Sequence, residues 1–133
     1  MGTEKHVTLR GRAIFHGQAS GQALVSPTAI GFLGGVDPDT GRVIEPGHPL
    51  HGQTIAGRVL VFPTGKGSTV GSYTLYRLVK RGLGPVGIIN AHSEAIVAVG
   101  AIISETPMVD RIDIEQIATG DWVEIKGEEV RVG

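Results

Sequence analysis

The sequence predicts an α/β domain with mixed sheets, and three observations carry that reading. Two short apolar runs, at 59–62 and 86–90, flank a stretch of helical periodicity, as a β-α-β unit requires. Alternating segments near both ends read as β-hairpins, so a simple doubly wound sheet does not fit. The 21 glycines among 133 residues, about twice the roughly 7% usual share, are dispersed through Val/Ile/Leu segments. With a hydrophobic content of 41%, that pattern belongs to turns and close approaches in a packed fold, not to a disordered chain. At this length one domain spanning 1–133 is expected.

The elements follow in chain order. Residues 6–15 alternate loosely, with Val7, Leu9 and Ile14 apolar, and are expected to pair with 22–25 across a turn region at 17–21. The run 59–62 is a buried strand stopped by Pro63. A helix is expected from near Ser68, with Val70, Leu75, Leu78 and Val79 on one face and Tyr73 and Tyr76 along its edge. Lys80 and Arg81 suit its C-terminal dipole, Gly82 suits the C′ position, and Pro85 prevents resumption. Residues 86–90 form the second buried strand. Ser93 is expected to cap a short helix over 94–99, with Glu94 favourable in its first turn. Residues 101–104 read as a strand, with weaker β character at Met108-Val109, and 114–118 as a helical turn. A terminal hairpin joins 122–125 to 129–132, with Trp122 as its expected anchor. Between Ile30 and Thr54 periodicity fails. Phe32, Leu33, Val36, Val43, Ile44 and Leu50 are interspersed there, which predicts an ordered loop packed on a partner or a site.

Composition excludes several kinds of chemistry. With no Cys the chain offers no disulfide, no thiolate metal site and no Cys nucleophile. Twelve Lys+Arg against 13 Asp+Glu leave a net charge of −1, so no basic field recommends nucleic acid or a membrane surface. Three Phe, two Tyr and one Trp provide little surface for base stacking. No run approaches the roughly 18 apolar residues of a membrane span, and residues 1–10 lack the apolar core of a signal peptide. A soluble cytoplasmic protein is expected.

The strongest local signal is Pro63-Thr64-Gly65-Lys66-Gly67-Ser68-Thr69-Val70-Gly71-Ser72, between a buried strand and a helix. Glycines allow close backbone approach, free N–H groups at a helix start attract anions, and Lys66 adds charge. Ser68 and Thr69 add hydroxyls at the same pole. Gly65, Lys66, Gly67 and Thr69 are thus candidate substrate-binding residues. A plain strand-to-helix turn capped by Ser68 explains the spacing equally well. The segment is not a Walker A loop, because Gly67 follows Lys66, and not a dinucleotide fingerprint, because the third Gly falls at 71. No Gly-x-Ser-x-Gly elbow surrounds Ser68. Asp37-x-Asp39-x-Gly41 lacks a third carboxylate and has His48 at the twelfth position, so it reads as a turn rather than a calcium loop. His48 and His51 read as loop histidines, since no convergent metal ligands are evident. If the two buried strands are parallel neighbours, residues 90–94 lie beside the Gly65 loop, with Glu94 as a capping carboxylate.

Taken together, several segments resemble one family over almost the whole chain. They are residues 32–41 (Phe-Leu-Gly-Gly-Val-Asp-Pro-Asp-Thr-Gly), His48-Pro49-Leu50-His51-Gly52, 57–63, 65–72 and Thr119-Gly120-Asp121. This combination resembles the swivel-domain subunit of the aconitase X family. The resemblance implies a swivelling β/β/α domain with a barrel-like core, closing over a larger catalytic subunit in a heterodimer. It implies a four-iron four-sulfur cluster on that partner's cysteines. The implied reaction is dehydration of a small phosphorylated hydroxy acid, (R)-5-phosphomevalonate, to trans-anhydromevalonate 5-phosphate in a modified mevalonate route.

Such a reaction needs a base for the proton alpha to the carboxylate. In aconitase-like enzymes a swivel-domain Ser accepts that proton, and by motif position the role falls on Ser68, with Ser72 next in line. An alkoxide requires nearby positive charge, from Lys66, loop N–H groups or the partner. The usual aconitase loop has an Arg close to its Ser; here Lys66 precedes Ser68. Two other readings remain open: a related dehydratase acting on a hydroxyproline-type substrate, and a non-catalytic anion-binding or interaction module.

Overall fold

The computed structural model describes residues 6–133; residues 1–5, which the expected domain and the signal-peptide reading include, lie outside the described residues. Eight strands form one sheet. In chain order they are β1 (Val7–Arg10), β2 (Arg12–Phe15), β3 (Gln18–Val25), β4 (Val59–Phe62), β5 (Gly87–Asn90), β6 (Met108–Asp110), β7 (Trp122–Lys126) and β8 (Glu129–Val132). Helix α1 (Gly71–Lys80) links β4 to β5, and helix α2 (Ala95–Ser104) links β5 to β6. Across the sheet the order is β1-β8-β7-β3-β4-β5-β6-β2. β3, β4, β5 and β6 run parallel, and the pairings outside that set are antiparallel. Because β1 and β2 stand at opposite ends of this order yet are separated only by Gly11, the chain itself draws the ends together into a nearly closed barrel.

The closure depends on Gly11. A Cβ there would collide with the carbonyl oxygen of Asp110 and approach Cδ1 of Ile112 to 2.8 Å. Its N–H donates to the Glu128 carbonyl at 3.0 Å, so one residue touches both seams. Next along the chain, Arg12 grips Asp110 through Nε to Oδ1 (3.1 Å) and Nη2 to Oδ2 (2.8 Å). Burial disfavours the charge on Asp110, but hydrogen bonds from Arg12 and Ser93 outweigh it and hold the carboxyl below its ordinary range.

Residues 6–15 are thus β as expected, but they form two strands, and neither pairs with 22–25. The expected turn at 17–21 does not form. Residues from Gln18 onward already belong to β3, which pairs with β7 through Gln22 and then with β4 from Ala23. Gly21 packs against Gly57 and Val86 rather than bending the chain.

The parallel strands are buried on both faces. Val59, Val61, Ile89 and Val109 point into the barrel with Ala23, Val123, Ile125 and Val130. Leu60, Phe62, Ile88 and Met108 point outward against Leu75, Leu78, Val97 and Ala101 of the helices. Two buried faces explain why 59–62 is an unbroken apolar run rather than an alternating one. The segment 26–58 covers the same outer layer, with Phe32, Val36, Val43, Leu50 and Ile55 all buried. Phe32 meets Phe62 edge-on at 6.5 Å between ring centres.

Helix α1 begins at Gly71, later than expected, and Val70 is half exposed instead of facing the core. Its end matches expectation. Gly82 adopts φ 74°, Gly82 N–H donates to Val79 O (3.1 Å) and Leu83 N–H to Leu78 O (2.8 Å), a Schellman motif. Residues 101–104 are the second half of α2, not a strand. Their β-branched composition is overridden by the helix start at Glu94 and by Gly100, where a Cβ would press on Leu75 Cδ2 at 2.9 Å. Trp122, the expected anchor, is half exposed on β7. No helix among the described residues is long and apolar enough to cross a membrane.

Two outcomes follow. Gly11→Ala is expected to lower stability by about 2–3 kcal/mol through overpacking, read as a lower urea midpoint at unchanged slope. Arg12→Ala leaves the buried Asp110 carboxylate with only the Ser93 N–H and is expected to lower the urea midpoint at pH 7. Asp110 is more acidic folded than unfolded, so its contribution is complete above about pH 4 and fades as pH falls below that. Urea titrations at pH 7 and pH 3 should therefore show the Arg12→Ala deficit shrinking in acid.

Candidate active site

The loop from β4 to α1 is fixed at its base and open at its tip. At the base, Gly65 pairs with Ile30: Ile30 N–H donates to Thr64 O at 3.3 Å, and Lys66 N–H donates to Ile30 O at 3.1 Å. Gly65 is buried, whereas Lys66, Gly67, Ser68, Thr69 and Val70 are all exposed. Gly67 takes φ 102°, a conformation that side chains resist, and so turns the chain toward the helix.

Ser68 does not cap α1. Val70 occupies the N-cap position without a side-chain bond. Ser68 instead closes a short turn, its Oγ accepting from Val70 N–H at 3.2 Å while its carbonyl accepts from Gly71 N–H at 2.8 Å. The hydroxyl is therefore both solvent-facing and already oriented by an N–H donor at the positive end of a helix. Ser72, the alternative hydroxyl, is buried and donates to Ile96 O at 2.6 Å, which clamps α1 to α2. Of the two serines, only Ser68 is presented outward.

Lys66 is expected to supply positive charge, and it lies on the same exposed loop. Its Nζ is held by Glu45 Oε2 at 2.9 Å, a partner that no local spacing singles out. Glu45 comes from the long 26–58 segment, so that segment walls one side of the loop. Gly31 contributes to the same wall: a Cβ there would approach Lys66 O to 2.8 Å.

The second strand end lies where parallel pairing requires. Ala91 and His92 N–H groups both donate to Pro63 O, at 3.1 and 3.0 Å. Asn90 is fully buried, and its Nδ2 donates to Phe62 O and Ile89 O, pinning the two strand ends. Glu94 is the N-cap of α2, accepting from Ile96 N–H at 2.9 Å and Val97 N–H at 2.8 Å with its two oxygens. Ser93, the expected cap, donates its N–H to Asp110 Oδ2 at 3.2 Å instead. The Glu94 carboxylate packs directly on Gly65, leaving no room for a Cβ. Gly65 thus makes its close approach to Glu94, and a helix cap sets the position of the loop.

Asp37, Asp39 and His48 have structural partners, while His51 is exposed. Asp37 Oδ1 accepts from Asp39 N–H at 2.9 Å and Asp39 pairs with Arg81, as a turn requires. His48 is buried, with Nδ1 accepting from Leu50 N–H at 3.0 Å and Nε2 3.2 Å from Ala29 O. Among the described residues no group of three or more His, Asp or Glu side chains gathers to hold a metal, and the chain has no Cys. The residues present therefore do not fit an iron–sulfur cluster.

A family model described as the aconitase X swivel domain matches residues 8–132. The phosphomevalonate dehydratase small subunit of Methanocella arvoryzae is 57% identical over 122 residues, covering 90% of this chain and 92% of that protein. The protein of the same name from Methanosarcina acetivorans is 54% identical over 126 residues, covering 92% of this chain and 88% of that one. Among solved structures, the crystal structure of Thermococcus kodakaraensis aconitase X in its holo-form superposes with a TM-score of 0.93 at 48% identity. The match covers 96% of this chain and 98% of that one.

Proposed function

The chain belongs to the aconitase X swivel-domain family, and we propose that it acts as the small subunit of a phosphomevalonate dehydratase, a hydro-lyase completed by a larger subunit. The single observation that carries the site is Ser68: an exposed hydroxyl on a glycine-bounded loop, oriented by the Val70 N–H at the start of α1. The names of relatives at 54 and 57% identity over nearly the full chain support the reaction. The whole chain serves as one cytoplasmic swivel domain.

Dehydration of the 3-hydroxy acid removes a proton from the carbon alpha to the carboxylate and hydroxide from the next carbon. The C–H electron pair becomes the second bond of the alkene, and the C–O pair leaves with oxygen. Ser68 is the acceptor of the carbon-bound proton. Its alkoxide is stabilised by the Val70 N–H and by the positive end of α1. Gly67 and Thr69 frame the same exposed tip, while Gly65 fixes its base against Glu94. Lys66 leaves Glu45 to meet an anionic group of the substrate. The family's four-iron four-sulfur cluster is assigned to cysteines of the large subunit, because this chain supplies no thiolate.

The isolated chain is expected to be inactive and to gain dehydratase activity on mixing with the large subunit. In that complex Ser68→Ala should lower kcat by about 10²- to 10⁴-fold while co-purification with the large subunit persists. Near-normal turnover by the assembled variant would remove Ser68 from the proton step. An assay with (R)-5-phosphomevalonate beside a hydroxyproline decides the substrate.

A further inference from the structure

Helix α2 is apolar all round. Its inner face, with Val97, Gly100 and Ala101, packs within the fold. Its outer face carries Val99, Ile102 and Ile103, which are 48, 47 and 39% exposed. A helix of this kind is ordinarily covered on both sides. The exposed apolar surface continues through Tyr73 (70%) and Val70 (50%) of the α1 start to Leu33 (49%) of the long segment. Tyr73 is a ridge between two grooves. One, of about 260 Å³, runs from Thr69 to Ile96 and Val99. The other, of about 220 Å³, lies between Leu33, Val70 and Arg77. The patch therefore abuts the Ser68 loop.

We propose that this face is the docking surface for the large catalytic subunit, which would meet it with an apolar centre and an acidic rim. The inference rests on the dehydratase reading. Two observations favour that occupant over a second copy of this chain. Thr69 and Val70 adjoin Ser68 and line the two grooves, so a subunit that closes the reactive loop against water also covers the patch. The rim is cationic: Arg77 has no ion-pair partner among the described residues, and Lys80 lies 5.4 Å from the centre of the Tyr76 ring. A second copy seated on the same patch would bring no acidic rim to these cations from the patch itself and would shut Ser68 away from substrate. An apolar patch of this extent beside a functional loop is the usual mark of a protein interface.

The test measures affinity between the purified large subunit and variants of the full chain. Ile102→Glu is expected to weaken the dissociation constant at least about 30-fold, and Arg77→Glu about tenfold. Trp122→Glu, on the β7 side of the barrel, should bind as wild type. All three change exposed side chains, and circular dichroism checks that each retains its fold. Folded Ile102→Glu and Arg77→Glu chains that both bind with wild-type affinity would overturn the proposal, as would an equal loss in Trp122→Glu. Failure of the wild-type chain to bind the large subunit would overturn the dehydratase reading itself. An active Ser68→Ala complex would overturn only the assignment of Ser68.

Discussion

The absence of one side chain lets the sheet close. At Gly11 the chain leaves one end of an eight-strand order and enters the other, and the Asp110 carbonyl occupies the space that a Cβ would need. Closure is then carried inward by contact. Asp110, held by Arg12 on one side, accepts from Ser93 on the other. Ser93 leads into Glu94, whose carboxylate caps α2 and rests on Gly65. Gly65 is the base of the loop that carries Ser68. The seam of the barrel and the Ser68 loop are thus joined by a short series of packed groups, from Asp110 through Ser93 and Glu94 to Gly65.

Local structure was legible wherever one residue type has one physical use. Pro63 ends β4, Gly82 supplies the left-handed turn after α1, and the runs at 59–62 and 86–90 mark strands buried on both faces. What local pattern could not reveal was pairing. Nothing in residues 7–15 says that their two halves are partners of β8 and β6, because pairing is decided by distant residues. The second half of α2 departs from the strand expected there for a related reason. Its isoleucines favour a strand in isolation, and only the Glu94 cap and the close approach of α1 at Gly100 make it helical. Within the site, the glycine and hydroxyl pattern exposed the loop but not its supports. Glu45 lies 21 residues before Lys66, and no spacing rule connects them. Which of Ser68 and Ser72 is exposed also needs three dimensions to read, since the Ser72 hydroxyl is spent on Ile96.

The Ser68 loop is one-sided in its chemistry. It offers a hydroxyl, N–H donors and a restrained cation, which are the groups that manage a proton and an anion. It offers no soft ligand. Lys66 is balanced by Glu45, so the tip carries little uncompensated charge until something competes for the ammonium.

The register of β1 has a kinetic meaning. Val7 is paired with Val132, so the seam joins residues separated by almost the whole described chain. Loop closure of that span is entropically unfavourable until the strands between have formed. The parallel β4-β5-β6 core and its two crossover helices, by contrast, join segments only tens of residues apart. Their assembly can precede the seam, which would form late and set the pace of folding. Until then the outer strands β1 and β8 would present unpaired edges, the condition under which chains associate wrongly.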